Sequence, residues 1–196
     1  MDTFYQLSGS PRVYCMNDAE DVELVRKCAA GNTLAFGELV ERYTPQVFSA
    51  TYRILWDREE AADATQQAFL KAFENLGSYD ERKRFFTWLY TIAVRTALNA
   101  ARQRRDHEEL DEDEPSTGAL DHDGLESNDR QRIIRTALSR LPADLRAPLV
   151  LFHYDDCSYR EIAELVGTTE ARVRSRIFEA RKRMKKLLER SGYERD

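Results

Sequence analysis

The sequence predicts an all-α chain of two small helical domains joined by a flexible acidic linker, with a helix-turn-helix in the C-terminal domain. Three observations carry that prediction. Apolar residues recur at helical spacing on both sides of the chain's middle, and no Val/Ile/Thr-rich run alternates with period two. Residues 106–129, "DHEELDEDEPSTGALDHDGLESND", hold eleven acids and no Lys or Arg. Near the C-terminus, "SYREIAELVGTTEARVRSRIF" has the start and stop signals of two short helices around a tight turn.

Residues 1–17 contain the mildly apolar "FYQL" and "VYC" but no basic region followed by an apolar run. They are expected to form a disordered extension, not a secretory signal. In "AEDVELVRKCAAG", Val22, Val25 and Cys28/Ala29 share one helix face, and Gly31 suits a stop. "TLAFGELVERYTPQVFSATYRIL" sets Phe36, Leu39, Val40, Tyr43, Val47 and Phe48 on one face, with a kink expected at Pro45. Asp57 caps the next helix, "REEAADATQQAFLKAFENL", whose first turn carries Glu59 and Glu60 where the helix dipole favours acids. Gly77 is expected to end it. "RFFTWLYTIAVRTALNAARQRR" is the fourth helix and has a basic tail. These four form a domain over residues 18–105.

The formal net charge is −5, so the chain outside the acidic segment carries +6. That segment, residues 106–129, includes Pro115, Gly118 and Gly124 and few large apolar side chains. Burial within it cannot offset the entropy of ordering, which makes it a linker. It is either a solvated spacer or a polyanion that occupies a basic channel on a partner. No apolar run approaches the roughly 18–20 residues that span a bilayer, so no membrane insertion is expected. Cys15, Cys28 and Cys157 are odd in number and scattered, as reduced thiols of a cytoplasmic protein are. His107, His122 and His153 form no metal-ligand pattern, so neither a metal nor a cofactor is expected.

The C-terminal domain is expected over residues 130–192. "DRQRIIRTALSRL" is its first helix, and Pro142 opens the second, which contains Pro148. Ser158 and Glu161 then form a capping box; Ile162, Ala163, Leu165 and Val166 supply a buried face; Gly167 makes the turn; Thr168 or Thr169 caps the next helix. The spacing of Ala163, Gly167 and Val173 is that of a helix-turn-helix. Val173, Ile177, Ala180 and Met184 face inward. That leaves Arg172, Arg174, Ser175, Arg176, Glu179 and Arg183 towards solvent on the helix that enters a major groove. Arginine suits bidentate contact with guanine. Glu179 either accepts from cytosine N4 or pairs with Arg183.

Taken together, the chain resembles the extracytoplasmic-function (ECF, group 4) sigma factors of bacterial RNA polymerase over roughly residues 18–190. "DREEAADATQQAFLKAFENL" is similar to the region that docks on the polymerase clamp. "FFTWLYTIAVRTALNAARQRR" is similar to the region that recognises and opens the −10 element, and residues 141–188 to the domain that binds the −35 element. The resemblance implies clamp contacts by Asp63, Gln66, Gln67 and Lys71. It implies −10 contacts by Ser78, Tyr79, Lys83, Phe85, Arg95, Asn99, Arg102 and Gln103, the loop "LGSYDERKRFF" capturing a flipped base. Stacking offsets the cost of unstacking such a base. It implies −35 contacts by Thr169, Arg172, Arg174, Ser175, Arg176, Glu179 and Arg183. Many members carry an acid in place of Gln67 and a base near Glu179. The implied partners are core RNA polymerase, through the clamp of its largest subunit, promoter DNA and an anti-sigma factor. The implied location is the cytoplasm, with association to the nucleoid in holoenzyme.

Two other classes are weighed. A free-standing helix-turn-helix regulator of the two-component type needs an α/β receiver, and the N-terminal block has no strand signal. An enzyme needs a nucleophile–base pair, a metal cluster or a phosphate-binding glycine loop, and none is found.

Overall fold

The computed structural model describes residues 18–108 and 129–191. The expected N-terminal extension and residues 109–128 of the acidic segment lie outside them. Among the described residues all regular structure is helical, in eight α-helices and one short 3-10 turn. The chain divides at His107/Glu108 into two compact units.

The N-terminal unit contains α1 (Asp18–Ala29), α2 (Leu34–Leu55), α3 (Arg58–Glu74) and α4 (Phe85–Glu108). Its helix ends are locally encoded. Gly31 takes φ +97°, and the Asn32 amide closes on the Lys27 carbonyl at 3.0 Å. Asp57 is extended and accepts from the Glu60 amide at 2.9 Å. α2 continues through Pro45, which is exposed. One expectation changes. α3 stops at Glu74, not Gly77, because the Asn75 side chain bonds the Lys71 carbonyl at 2.7 Å, and Leu76–Ser78 form the 3-10 turn.

The core of this unit includes Leu39, Tyr43 and Val47 of α2 and Phe85, Leu89 and Val94 of α4, with the Tyr43 and Phe85 ring centroids 6.0 Å apart. Buried alanines on α3 (Ala61, Ala64, Ala68 and Ala72) let α2 and α3 approach closely. One polar network is enclosed. Asp21, 1% exposed, accepts from Arg42 at 2.7 Å and from the Tyr43 hydroxyl. Burial first, and then the Asp21 carboxylate, push the Tyr43 phenol well above its usual pKa. Buried Thr51 and Thr65 bond each other at 2.9 Å, and both reach the Ala61 carbonyl.

The C-terminal unit contains α5 (Asp129–Ser139), α6 (Ala143–Tyr154), α7 (Tyr159–Val166) and α8 (Glu170–Arg190). α6 continues through the buried Pro148, and Pro142 stands as its N-cap, one residue before the position expected. α4 runs to Glu108, three residues past the boundary drawn from charge. Arg146 is 2% exposed and donates from Nη1 to the carbonyls of Ser139 (3.0 Å) and Leu141 (3.1 Å). A buried guanidinium thus satisfies the carbonyls that the end of α5 leaves open. Among the described residues no helix is long and apolar enough to cross a membrane.

Candidate nucleic-acid interface

The turn between α7 and α8 forms as its residues dictate. Ser158 and Glu161 close both halves of a capping box, with the Ser158 amide donating to Glu161 at 2.8 Å and the Glu161 amide to the Ser158 hydroxyl at 3.3 Å. Gly167 adopts φ +69°, ψ +48°, and the Thr168 amide returns to the Ala163 carbonyl at 2.9 Å. Thr169 caps α8 by accepting from the Arg172 amide at 3.3 Å. Val173, Ile177, Ala180 and Met184 are buried against α6 and α7.

At 100° per residue the arginines of α8 fall on two flanks of that stripe. Arg172, Arg176 and Arg183 lie on one, Arg174 and Arg181 on the other. Their partners differ. Arg176 turns back onto α6, 3.7 Å from Asp144, with 18% of its side chain exposed. The expectation that it faces solvent beside Arg174 is therefore corrected. Arg183 donates to Glu179 at 2.8 Å, so in the free protein the two are paired. That bond holds the Glu179 carboxyl below its ordinary pKa. Arg174 lies 5.7 Å over the Tyr159 ring and Arg181 5.3 Å over the Phe152 ring. Thr169, Arg172 and Ser175 are exposed, as expected.

Phe178 was missed by the sequence reading. It is 71% exposed and shares an open face with Ala171, Arg174 and Ser175. Its place outside the buried three-to-four stripe was the signal that could have found it.

In the N-terminal unit, Arg95, Asn99, Arg102 and Gln103 are exposed along α4, spaced to share one face. The loop before α4 is held from within. Arg82 donates to Asp80 from its amide, Nε and Nη2, drawing the Asp80 carboxyl down to about 2, and Arg26 of α1 grips Glu81 at 2.7 Å. Ser78 and Lys83 are exposed. Tyr79 and Phe85 are not: at 8% and 1% exposure they pack edge-on to each other beneath the loop, with Trp88 against both. In the free protein both rings are therefore packing residues that support the loop from beneath. On α3, Asp63, Gln66, Gln67 and Lys71 are exposed, and the Lys71 ammonium donates to Thr96 at 3.2 Å, which ties α3 to α4. Beside this row, Gln66 borders a groove of about 490 Å³ lined by Phe36, Phe48, Phe69, Leu70 and Phe73.

Comparison with known proteins identifies the chain. The model of Sigma-70 region 2 matches residues 39–107, and that of Sigma-70, region 4 matches residues 131–184. The chain is 34% identical over 192 residues to the RNA polymerase sigma-H factor of Pseudomonas aeruginosa, covering 89% of this chain and 96% of that one. It is 36% identical over 173 residues to the ECF RNA polymerase sigma-E factor of Escherichia coli, covering 82% and 90%. The chain belongs to the ECF-type sigma factors of the sigma-70 family. It is an alternative sigma factor, in a family of non-catalytic polymerase subunits. A solved sigma factor from Bartonella quintana shares the fold, with TM-score 0.63 and 24% identity over 79% of this chain and 96% of that one. A free-standing regulator is set aside, because the match to region 2 extends from α2 into α4.

Proposed function

We propose that this sigma factor is a group 4 member that docks on the clamp of the largest polymerase subunit through Asp63, Gln66 and Gln67 of α3. It holds the opened −10 strand along Ser78, Lys83, Arg95, Asn99, Arg102 and Gln103, and lays α8 in the −35 major groove. One observation carries the reading: α8 buries its apolar stripe and leaves Arg172, Arg174, Ser175 and Phe178 on open faces at the N-terminal half of a helix-turn-helix recognition helix. Arginine can take guanine O6 and N7 together, and an exposed Phe fits a thymine methyl. Arg176 and Glu179 are engaged within the protein and serve α8's position and charge in the free factor.

The acidic segment gives the free factor a polyanionic competitor for its own basic faces, so specific promoter binding belongs to the holoenzyme. In holoenzyme the protein works in the cytoplasm at the nucleoid. Control by an anti-sigma factor is proposed because the Bartonella quintana sigma factor of similar fold was solved in complex with one.

The test is reconstitution with core polymerase on genomic DNA and mapping of transcript starts. Discrete starts sharing paired −10 and −35 elements, absent with core alone, are expected. Starts no different from core alone would refute the proposal. A tight promoter complex formed by the free factor at physiological salt would refute the role given to the acidic segment.

A further inference from the structure

We propose that Tyr159 and Phe152, which lie outside the recognition helix, are positioning residues that hold Arg174 for −35 readout. This rests on the reading of α8 given above. Phe152 lies in the last turn of α6 and Tyr159 begins α7, and their rings stack with centroids 5.2 Å apart and planes 15° apart. Arg174 lies over the Tyr159 ring at 5.7 Å and Arg181 over the Phe152 ring at 5.3 Å, so the chain of contacts runs Arg174–Tyr159–Phe152–Arg181. The two arginines are seven residues apart, about 10 Å along the helix at ~1.5 Å per residue, so one aromatic pair serves both. His153 closes the Phe152 end. Its ring meets Phe152 edge-on at 5.1 Å, and its Nε2 accepts from Arg181 Nη2 at 3.3 Å.

A guanidinium held by its face keeps its in-plane N–H donors free for a base edge. One held by a carboxylate spends those donors. Arg176 and Arg183 are held in the second way, by Asp144 and Glu179. Among the described residues no carboxylate pairs with Arg174, whose recorded contact is the Tyr159 ring. Stacking removes rotamer freedom from a long side chain before DNA arrives, which lowers the entropy lost on binding. The Ser158–Glu161 capping box fixes the backbone immediately before Tyr159, so the ring is set by the same motif that starts α7.

The test uses full-length protein in holoenzyme, on a promoter recovered from the mapped transcript starts. Tyr159→Leu should lower run-off yield about two- to fivefold, the range expected for one exposed cation–π contact. It should flatten base preference at the same −35 position that Arg174→Ala flattens. Tyr159→Phe should restore both. In an Arg174→Ala background, Tyr159→Leu should cost nothing further. Equal losses in both backgrounds, or unchanged base preference in Tyr159→Leu, would make Tyr159 merely structural and overturn the proposal. Loss in Tyr159→Phe would assign the work to the hydroxyl and overturn it as well. If Arg174→Ala itself leaves yield and preference unchanged, the reading of α8 fails first. Thermal midpoints of each variant separate folding losses from these outcomes.

Discussion

Replacing Gly167 with alanine tests whether the helix-turn-helix depends on a left-handed residue. Gly167 sits at φ +69°, and a Cβ built there meets nothing within 4 Å. Steric crowding therefore contributes nothing, and the cost is conformational. A non-glycine residue in this region costs roughly 1–2 kcal/mol. Alanine regains about 0.4–1 kcal/mol by restricting the unfolded chain. The net loss is about 1 kcal/mol, which is a drop of ~4–8 °C in the midpoint of a domain of this size. Gly77 supplies the control. Its Cβ would also meet nothing, but its φ is not in the left-handed range, so Gly77→Ala should be neutral or stabilise by about 0.5 kcal/mol. The chain's two tryptophans, Trp56 and Trp88, both lie in the N-terminal unit. Tryptophan fluorescence thus follows that unit, while far-UV circular dichroism follows both. Gly167→Ala should shift the dichroism transition and leave the fluorescence transition in place. Gly167→Asn should recover part of the loss. An unchanged dichroism midpoint in Gly167→Ala would refute the reasoning.

Arg146→Met should destabilise the C-terminal unit by about 3 kcal/mol, read as a lower urea midpoint, because it strips a charged donor from buried carbonyls. Burial first, and then Arg181, lower the His153 pKa, so the unfolded chain takes up that proton before the folded one. Both forms are neutral well above pH ~6.5, and stability should fall as pH drops below that value. His153→Gln should remove this part of the pH dependence of the thermal midpoint, and an unchanged dependence would contradict it. Arg176→Ala should lower −35-dependent run-off yield less than Arg174→Ala does while lowering the thermal midpoint more, since its charge is directed at Asp144.

What the sequence made legible was local. Asp57, Ser158 and Thr169 cap helices through bonds to amides three residues on, and Gly31 and Gly167 stop them with positive φ. Such contacts need only neighbours in the chain, and the buried stripes of α2 and α8 need only a period. Tertiary pairing was not legible. Nothing local says that Arg176 meets Asp144, that Lys71 meets Thr96, or that Arg146 closes the end of α5. The resemblance implies −10 contacts for Tyr79 and Phe85, and what it does not show is that both pack inward with Trp88 in the free protein. Pro45 and Pro148 each sit inside a helix that continues past them, because only one backbone bond is lost at each. The exposed row on α4 was found in full, since four polar residues at i, i+4, i+7 and i+8 leave no other face for them.

The central claim is that α8 reads the −35 element through Arg174. The direct measurement is a base-substitution profile of the −35 element, with run-off yield compared between wild-type and Arg174→Ala holoenzymes. Discrimination should fall at one position by about 5- to 160-fold, the equivalent of roughly 1–3 kcal/mol for a bidentate base contact, with the other positions unchanged. A uniform loss across the element would make Arg174 a phosphate contact, and an unchanged profile would remove it from the interface. Either result would contradict the claim.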